Sequence, residues 1–256
     1  MSCMQDVKAA IGENCDCHCA TIISGKSFCQ LTQHSSKLLS EEGEVMFKLL
    51  TNLPRHLWVA CSGGVDSMAV LDFLSRNHNV SVVYFNHLTA HGISSEDWIT
   101  RYCSSKSVDL VVGKISRLRL SHESQEEYWR NCRYEFFKTV PGTVVTAHHL
   151  DDAVETYLFN CLHGKNHTIP LRHHNVVRPF LTTPKREFEN WCERKGVPWI
   201  EDASNHDIKH MRNLIRHNIV PEALRVNPGL STVVKKIVVR EFDLCENLPV
   251  PGAQTD

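Results

Sequence analysis

Short apolar segments alternate with longer amphipathic segments through the central part of this chain. The apolar segments predict four strands, at 57–61, 80–85, 110–112 and 144–146. The amphipathic segments predict four helices, at 66–74, 94–106, 124–139 and 151–162. Strands that are separated by helices of this length pair in parallel. The pattern therefore predicts an α/β fold, with a parallel twisted sheet and helices on both of its faces.

Capping signals indicate where several of these helices begin and end. Ser94 with Asp97, and Ser124 with Glu127, have the three-residue spacing of a capping box, so we expect helices to start at the two serines. Gly164 lies at the C′ position of the helix that is predicted to end at residue 162.

The same pattern divides the chain into four parts. Residues 1–37 show no clear period and are interpreted as an N-terminal extension of unknown role. Residues 38–182, which open with a short predicted helix at 38–50, form the α/β domain. Residues 183–244 are predicted to be a small helical, basic segment of the same unit, and 245–256 a tail.

Turn residues divide the helical segment further. Thr183 and Pro184 predict a helix start, and Gly196 its end. A second helix is predicted at 206–224, and a last helix, after an Asn-Pro-Gly break, continues to Phe242.

Composition is that of an ordinary soluble globular protein. Of 256 residues, 42% are hydrophobic and 22% charged, and the formal net charge is −1. No apolar run approaches the roughly 18 residues of a membrane span, and a secretory signal is not recognisable. The odd number of cysteines, eleven, and their spread through predicted core elements favour a reducing compartment. We therefore expect a cytoplasmic protein without a membrane partner.

Two local features of the composition leave alternatives open. Residues 185–240 contain eleven Lys and Arg against seven Asp and Glu, which indicates either a patch for a polyanionic partner or a solvated helical surface. Cys15, Cys17 and Cys19 are spaced more closely than common zinc ligands, and whether they bind a metal stays open.

The most specific chemical signal is the turn between the first predicted strand and helix. It consists of Ser62, Gly63, Gly64, Val65, Asp66 and Ser67, and we call these residues the glycine turn. A strand, a glycine turn and a helix N-terminus direct several backbone N–H groups at one point, which attracts phosphate. We expect the glycine turn to bind a triphosphate, with Asp66 holding Mg²⁺ against it. The alternative is a turn without a ligand.

Further candidate residues follow other predicted elements. Asp152 and Glu155 share a face of one helical turn and are suited to hold Mg²⁺ or a cationic amine. His148, just before them, is suited to donate to a phosphate oxygen. Arg130 and Arg133 also share a helix face, and guanidinium groups bind phosphate bidentately.

Arg212 and Arg216 form a second arginine pair, in the basic segment, and are predicted to face RNA phosphates. Each of these features has a plain structural alternative. Acidic residues are common in a first helical turn because they complement the helix dipole, and arginines on a helix surface are usually solvated.

Six elements occur in a characteristic order. They are SGGVDS at 62–67, RNCRY at 130–134, AHHLDDAVET at 147–156, RPFL at 178–181, GVPWIEDASN at 196–205 and MRNLIRH at 211–217. Together they resemble the catalytic domain of the tRNA(Ile)-lysidine synthetase family, within the PP-loop superfamily of N-type ATP pyrophosphatases. The first element marks only the superfamily, whereas the last two are far more specific.

The resemblance implies a ligase that forms a carbon–nitrogen bond. ATP adenylates the C2 oxygen of the wobble cytidine in the CAU anticodon of tRNA(Ile), and free L-lysine then displaces AMP to leave lysidine. The implied catalytic residues are Asp66, Arg130, Arg133, His148, Asp152 and Glu155. The glycine turn would bind ATP with Mg²⁺ at Asp66, and which of Arg130 and Arg133 contacts phosphate stays open. The implied lysine ligands are Asp152 and Glu155, and the implied RNA ligands are Arg212 and Arg216.

The chain departs from the family pattern in two respects. The C-terminal domains of longer members have no counterpart, which suggests a short form, and the glycine-rich loop after the DDxxET helix is reduced to Gly164. Two alternatives remain. A PP-loop tRNA thiolase would need paired cysteines, yet no C-x-x-C occurs. A non-catalytic tRNA-binding remnant would have lost the chemical residues, which are present here. The oligomeric state is not predicted.

Overall fold

The computed structural model describes residues 47–201 and 211–246. The strands in these ranges are β1 (His56–Ala60), β2 (Asn79–Asn86), β3 (Leu110–Lys114), β4 (Val144–Thr146), β5 (Arg172–His173) and β6 (Val176–Val177). The helices are α1 (Val65–Ser75), α2 (Ala90–Lys106), α3 (Gln125–Thr139), α4 (Leu150–Leu162), α5 (Lys185–Lys195), α6 (Met211–Leu214), α7 (Val220–Val226) and α8 (Leu230–Glu246). A π-helical segment, Ile215–Ile219, joins α6 to α7.

The strands form one sheet in the order β3-β2-β1-β4-β6-β5. All neighbouring pairs are parallel except β5 and β6. Chain order reverses at β1, whose neighbours are β2 and β4, so that Ala60 lies opposite both Val83 and Thr146. In open α/β sheets ligands bind beyond the strand C-termini at such a reversal.

Helices cover both faces of the sheet, as the sequence predicts. Along β2, Val82 and Tyr84 pack in the core formed with α1, α2 and α5. Val83 and Phe85 point the other way and pack in the clusters under α3. This alternation is the two-residue period of a strand that is buried on both faces.

The C-terminal helices belong to the same packed unit. Phe188 and Trp191 of α5 pack in the core beside α1. α8 places an apolar stripe, including Val234 and Val238, against α4. Glu241 on the same helix accepts hydrogen bonds from Thr168 N at 3.3 Å and Oγ1 at 2.8 Å.

Most predicted elements are confirmed, and three helix boundaries are confirmed by their caps. Ser124 Oγ accepts from Glu127 N at 3.1 Å at the start of α3. Gly164 and Gly196, which follow α4 and α5, adopt left-handed φ angles of 72° and 64°. Such angles favour glycine because it has no Cβ.

The predicted start of α2 at Ser94 is wrong. The helix begins at Ala90, and Thr89 Oγ1 caps it by accepting from Gly92 N at 3.0 Å. Ser94 lies inside the helix, where its hydroxyl donates to His91 O. The capping-box pattern predicted the wrong start because the first turn of α2, which follows Thr89, contains no acidic residue that would indicate a helix start.

Three further features of the structure differ from what the sequence predicts. The hairpin of β5 and β6 was not predicted, because two-residue strands show no periodicity. Pro184 is the N-cap of α5 rather than its first residue. The helix predicted at 206–224 includes the π-helical segment, since Pro221 has no N–H with which to continue the α-helical ladder.

Several predictions fall outside the described residues. These are the extension at 1–37, most of the predicted helix at 38–50, the start of the helix predicted at 206–224, and most of the tail. The described end of the 38–50 prediction, residues 47–50, is not helical. None of the helices in 47–201 and 211–246 combines the length and the apolar character that crossing a membrane requires.

Gly113 provides a test of the packing between β3 and α3. A Cβ at this position would lie 2.5–2.6 Å from ring atoms of Phe136. We expect Gly113→Ala to lower the free energy of unfolding by about 1–3 kcal/mol through overpacking. Chemical denaturation measures the change. Val111→Ala, at a neighbouring position that is 41% exposed, is the control and should cost less; equal losses would contradict the packing argument.

Candidate active site

Two loops meet where the strand order reverses. The glycine turn follows β1, and His148 and His149 follow β4. Since Ala60 and Thr146 lie opposite each other at the ends of these strands, the two loops leave the sheet side by side. The parallel register therefore brings together residues that are about eighty positions apart in the chain.

The serines of the glycine turn hold its shape. Ser67 Oγ donates to Gly64 O at 2.8 Å and accepts from Ser62 N at 3.2 Å. Gly63 has a φ of 88°, in the left-handed region that glycine adopts without a steric penalty. The turn is thus shaped before any ligand binds.

The first turn of α1 has free backbone donors. Gly64 is its N-cap and supplies no side-chain cap. The N–H groups of Val65, Asp66 and Ser67 consequently have no hydrogen-bond partner among the described residues. Together with the helix dipole, they are the donors that the predicted phosphate site requires, and binding itself stays a prediction.

The segment after α5 lies over the glycine turn. Ile200 N donates to Gly63 O at 2.9 Å, and the Ile200 side chain comes within 3.0 Å of where a Gly63 Cβ would be. This contact explains why glycine is needed at position 63 beyond its backbone angle. Through Ile200, it also joins the GVPWIEDASN element of the sequence to the turn.

Asp66 faces the loop after β4. Its Oδ2 lies 3.7 Å from His149 Nε2, and its Oδ1 is buried without a hydrogen-bond partner in the described part of the chain. A buried carboxylate oxygen with no donor is unfavourable unless a cation or ligand satisfies it. An oxygen atom without a donor is a suitable ligand for Mg²⁺, a hard ion that prefers oxygen ligands.

His149 connects the two loops and begins α4. Its Nδ1 accepts from Asp152 N at 3.3 Å, while Asp152 Oδ2 accepts from His149 N at 3.0 Å. Burial alone would lower the pKa of His149, but the charges of Asp152, Asp66 and Asp151 outweigh it and raise the pKa. Sequence reasoning selected the adjacent His148 and missed this residue.

The predicted lysine ligands and the predicted RNA ligands form one ionic cluster. Asp152 and Glu155 are only 7% and 4% exposed. Arg212 donates to Asp152 Oδ1 at 2.7 Å and to Glu155 Oε2 at 3.0 Å. Arg216 donates to Glu155 Oε1 at 2.6 Å and Oε2 at 3.2 Å.

The cluster keeps Asp152 and Arg212 ionised despite burial. Burial alone would raise the pKa of Asp152. The charges of His149 and Arg212 outweigh burial and lower this pKa well below its usual range. Burial likewise disfavours the charge of Arg212, and Asp152 with Glu155 raises its pKa instead. Two carboxylates thus balance two guanidinium groups. The charges of Arg212 and Arg216 are neutralised within the protein, while their predicted contacts with RNA stay a prediction.

The other predicted arginine pair is different, because neither member forms a salt bridge in the described residues. The guanidinium carbons of Arg130, Arg133 and Arg178 lie 5.3, 5.9 and 5.8 Å from the centre of the Tyr134 ring. Arg178 is fully buried, donates to Tyr134 Oη, and has an Nε without a partner in the described residues. Burial would raise the pKa of Tyr134, but these cations lower it.

Two neutral histidines border Arg133. Burial, together with Arg178, Arg212 and Arg133, lowers the pKa of His148 well below its usual value, although Asp152 opposes the shift. Burial and Arg133 lower the pKa of His87 to about 4. The charge of Arg133 contributes to both pKa shifts. His148 Nδ1 lies 2.8 Å from Thr146 Oγ1, so the Nε2 atom remains for a ligand.

Comparison with known proteins agrees with this geometry. The model of the PP-loop domain family matches residues 35–223. The chain belongs to the PP-loop domain family. Curated tRNA(Ile)-lysidine synthases resemble it: that of Legionella pneumophila (strain Paris) is 35% identical over 215 residues, and that of Lactiplantibacillus plantarum 33% over 191 residues.

These matches cover unequal shares of the two proteins. The Legionella match spans 77% of this PP-loop chain and 49% of the relative, and the Lactiplantibacillus match 67% and 43%. A synthase of Thermotoga sp. (strain RQ2), 29% identical, is likewise matched over 72% of this chain and 49% of the relative. The chain therefore spans about half the length of the curated relatives it matches.

A solved structure shares the PP-loop fold. The U34-tRNA thiolase NcsA from Methanococcus maripaludis, solved with its [4Fe-4S] cluster, superposes with a TM-score of 0.60. The match covers 81% of this chain and 77% of that one at 14% sequence identity, which establishes a common fold only.

Sequence reasoning missed four residues that shape this PP-loop site. They are His149, Tyr134, Arg178 and Ile200. All four lie within the elements that carried the family resemblance, so their positions were flagged without a role. Tyr134 follows Arg130 by one helical turn, and this i, i+4 spacing is the signal that predicts its contact with arginine.

Gly63→Ala tests how the PP-loop depends on its glycine. The added Cβ meets Ile200 and a φ of 88°, so we expect ATP affinity to fall at least about tenfold because the phosphate-binding N–H groups shift. Equilibrium binding of ATP measures the effect. Gly142→Ala is the control: its φ is 83°, nothing lies within 4 Å of its Cβ, and it precedes β4 at the opposite edge of the sheet. Equal losses in the two variants would show that backbone strain alone is responsible.

Proposed function

We propose that this protein modifies the wobble cytidine of a CAU-anticodon tRNA(Ile) to lysidine, with ATP and free L-lysine as co-substrates. The observation that carries the proposal is the meeting of the PP-loop with the segment 148–155 across the strand reversal, where His149 lies 3.7 Å from Asp66. One place thus combines an anion-binding turn with a pair of buried acids. The synthases among its relatives supply the substrate class.

ATP binding falls to the PP-loop. The free N–H groups of Val65, Asp66 and Ser67 are donors for the phosphates, and the orphan Oδ1 of Asp66 is the proposed ligand of Mg²⁺. When bound, the ion would offset the negative charge of the phosphates. Ser62 and Ser67 keep the turn in the receptive shape through their hydrogen bonds.

The first step is transfer of AMP to the cytidine. The C2 oxygen attacks the α-phosphorus, an O–P bond forms, and the bond to the β-phosphate breaks to release pyrophosphate. Arg133 is the proposed stabiliser of the charge that develops on the phosphates, since its own charge is not paired with a carboxylate. His148, held neutral, contributes an Nε2 hydrogen bond rather than a charge.

The second step is attack of the lysine amine on C2. A C–N bond forms, the C–O bond to the adenylate breaks, and AMP leaves with the oxygen. Asp152 and Glu155 are the proposed lysine ligands, because each carboxylate has about four acceptor sites and the arginines do not use all of them. One of the two carboxylates is the proposed base, which takes the proton that the attacking ammonium must lose.

Arg212 and Arg216 remain proposed RNA contacts with a second role. Their bonds to the acids fix the direction of both guanidinium groups, and each retains N–H groups that the acids do not use. Arg212 is 45% exposed, which is compatible with a further contact to the tRNA.

The alternatives have less support. Sulfur delivery requires reactive thiols, yet four of the five described cysteines are buried, and burial raises the pKa of Cys61 behind the PP-loop. No cluster of three or more potential metal ligands occurs among the described residues. A binding remnant has no need of the intact acid pair.

Mass spectrometry of the tRNA decides between these functions. The protein is incubated with a CAU-anticodon tRNA(Ile), ATP, Mg²⁺ and lysine. The tRNA is then digested to nucleosides, and their masses are measured. We expect a gain equal to lysine minus one water. An oxygen-to-sulfur exchange in the presence of a sulfur donor would favour the thiolase, and an unchanged tRNA that nevertheless binds would favour the remnant.

Asp66→Asn tests the first step. The amide has the same shape but no charge, so we expect AMP formation to fall at least about a hundredfold, because the variant no longer holds the proposed Mg²⁺ ion against the phosphates. Binding of tRNA should change little. Asp109→Asn, an exposed position before β3, is the matched control. Retained AMP formation in Asp66→Asn would remove this residue from the mechanism.

Glu155→Gln tests the second step. We expect the KM for lysine to rise at least about tenfold, because the ammonium loses a charged hydrogen bond worth about 1.5–3 kcal/mol. Pyrophosphate release should remain within a few-fold of the parent. Glu189→Gln, on the exposed side of α5, serves as control. A variant that fails at adenylation instead would reverse the proposed division of roles.

A further inference from the structure

The two arginine pairs of the site differ in charge balance. Arg212 and Arg216 are neutralised by buried acids, whereas Arg130 and Arg133 form no salt bridge with a described carboxylate. Unbalanced cations repel one another and weaken the fold unless an anion joins them. The unpaired arginines are therefore the starting point for locating a polyanion.

The unpaired charge continues along α3, and two histidines of the neighbouring hairpin lie beside it. Arg130, Tyr134 and Lys138 lie at i, i+4 and i+8, on one face of the helix. His173 of β5 packs edge-on against Tyr134 with ring centres 5.3 Å apart, and His174 lies 4.4 Å from His173. We call Arg130, Lys138, His173 and His174 the edge surface.

All four members of the edge surface are exposed. None makes a salt bridge in the described residues, and Glu135, three residues before Lys138, lies 3.5 Å from Arg117 instead. Burial lowers the pKa of His173, and His174, Arg178, Arg130 and Lys138 lower it further. Besides burial, the groups that shift the pKa of His173 are all basic, so the ring lies among positive or basic side chains.

The edge surface is continuous with the active site. The guanidinium groups of Arg130, Arg133 and Arg178 all lie over the Tyr134 ring, and the charge of Arg133 also acts on His148. From Arg130 to Lys138 the helix rises about 12 Å at 1.5 Å per residue. A chain of phosphates that enters the site can follow this row of cations.

We propose that the edge surface binds the phosphate backbone of the RNA next to the nucleotide being modified. The inference rests on the proposed function and refines it by separating the two arginines. Arg133 serves the nucleotide phosphates, and Arg130 belongs to the RNA path. It also assigns an RNA contact to the β5–β6 hairpin, which no sequence element indicated.

A second basic surface provides the comparison. Lys235, Lys236 and Arg240 are exposed on α8, and none forms a salt bridge in the described residues. They carry at least as much charge as the edge surface but no comparable chain of contacts leads from them to the site. If overall charge alone governed RNA binding, both surfaces would contribute equally.

The test is the salt dependence of tRNA binding. The triple variant Lys138→Ala, His173→Ala, His174→Ala leaves every proposed catalytic residue in place and alters only exposed side chains. At low salt we expect Kd for the tRNA to rise about tenfold, and the slope of log Kd against log salt to become shallower by about 1, as phosphate contacts are lost. ATP affinity should not change. Lys138→Glu should weaken binding more than Lys138→Ala.

Lys235→Ala, Lys236→Ala, Arg240→Ala is the matched control and should alter Kd less than about threefold. Equal weakening by both triple variants, or an unchanged Kd in the edge-surface variant, overturns the proposal. Lysidine formation by the parent protein is scored separately. If the parent forms no lysidine yet the edge-surface variant alone loses tRNA affinity, the surface stands and the proposed function falls.

Discussion

The parallel pairing of β1 with β4 is the constraint on which this site depends. Val59 and Val145 lie opposite each other and are fully inaccessible to solvent. A slip of one residue would turn each buried side chain to the opposite face, so the register is strongly specified. With the register fixed, Asp66 and His149 must emerge next to each other. The chemistry of the site follows from the packing of two valines below it.

The second constraint is the ionic cluster around Glu155. Two buried carboxylates without partners would be strongly unfavourable, and removing one partner of such a pair costs about 3–5 kcal/mol when both are buried. Partial exposure of Arg212 reduces that cost. The π-helical segment contributes here, because Arg216 lies within it and Arg212 precedes it, and both reach the same acid. The cluster therefore fixes the helical segment on α4 and orients its arginines together.

The sequence was sufficient for the central strands and for the residues of the PP-loop, and insufficient where structure arises from contacts distant in the chain. Strands such as β2 can be predicted from the sequence, because burial on both faces makes them continuous apolar runs. The β5–β6 hairpin does not, since its pairing with β4 is set by tertiary contact. The pairing of Glu155 with Arg216 could not be predicted for the same reason. The sequence shows the charge of each residue but does not indicate which residue pairs with it. His149 was overlooked because a capping histidine has no distinct sequence signature.

Charge pairing also decides how far each arginine acts. A guanidinium group that is bonded to buried carboxylates contributes a compact, nearly neutral cluster, whose field falls off within a short distance. An unpaired one acts out to the Debye length, about 8–10 Å in physiological salt. With a net charge of only −1, the whole molecule has no cationic field to attract a nucleic acid. Under the proposed function, we therefore assign attraction of the RNA to local groups such as Arg130, and orientation of the bound RNA to paired groups such as Arg212. Attraction and orientation are thus assigned to different arginines by their partners, which the count of basic residues in the sequence does not reveal.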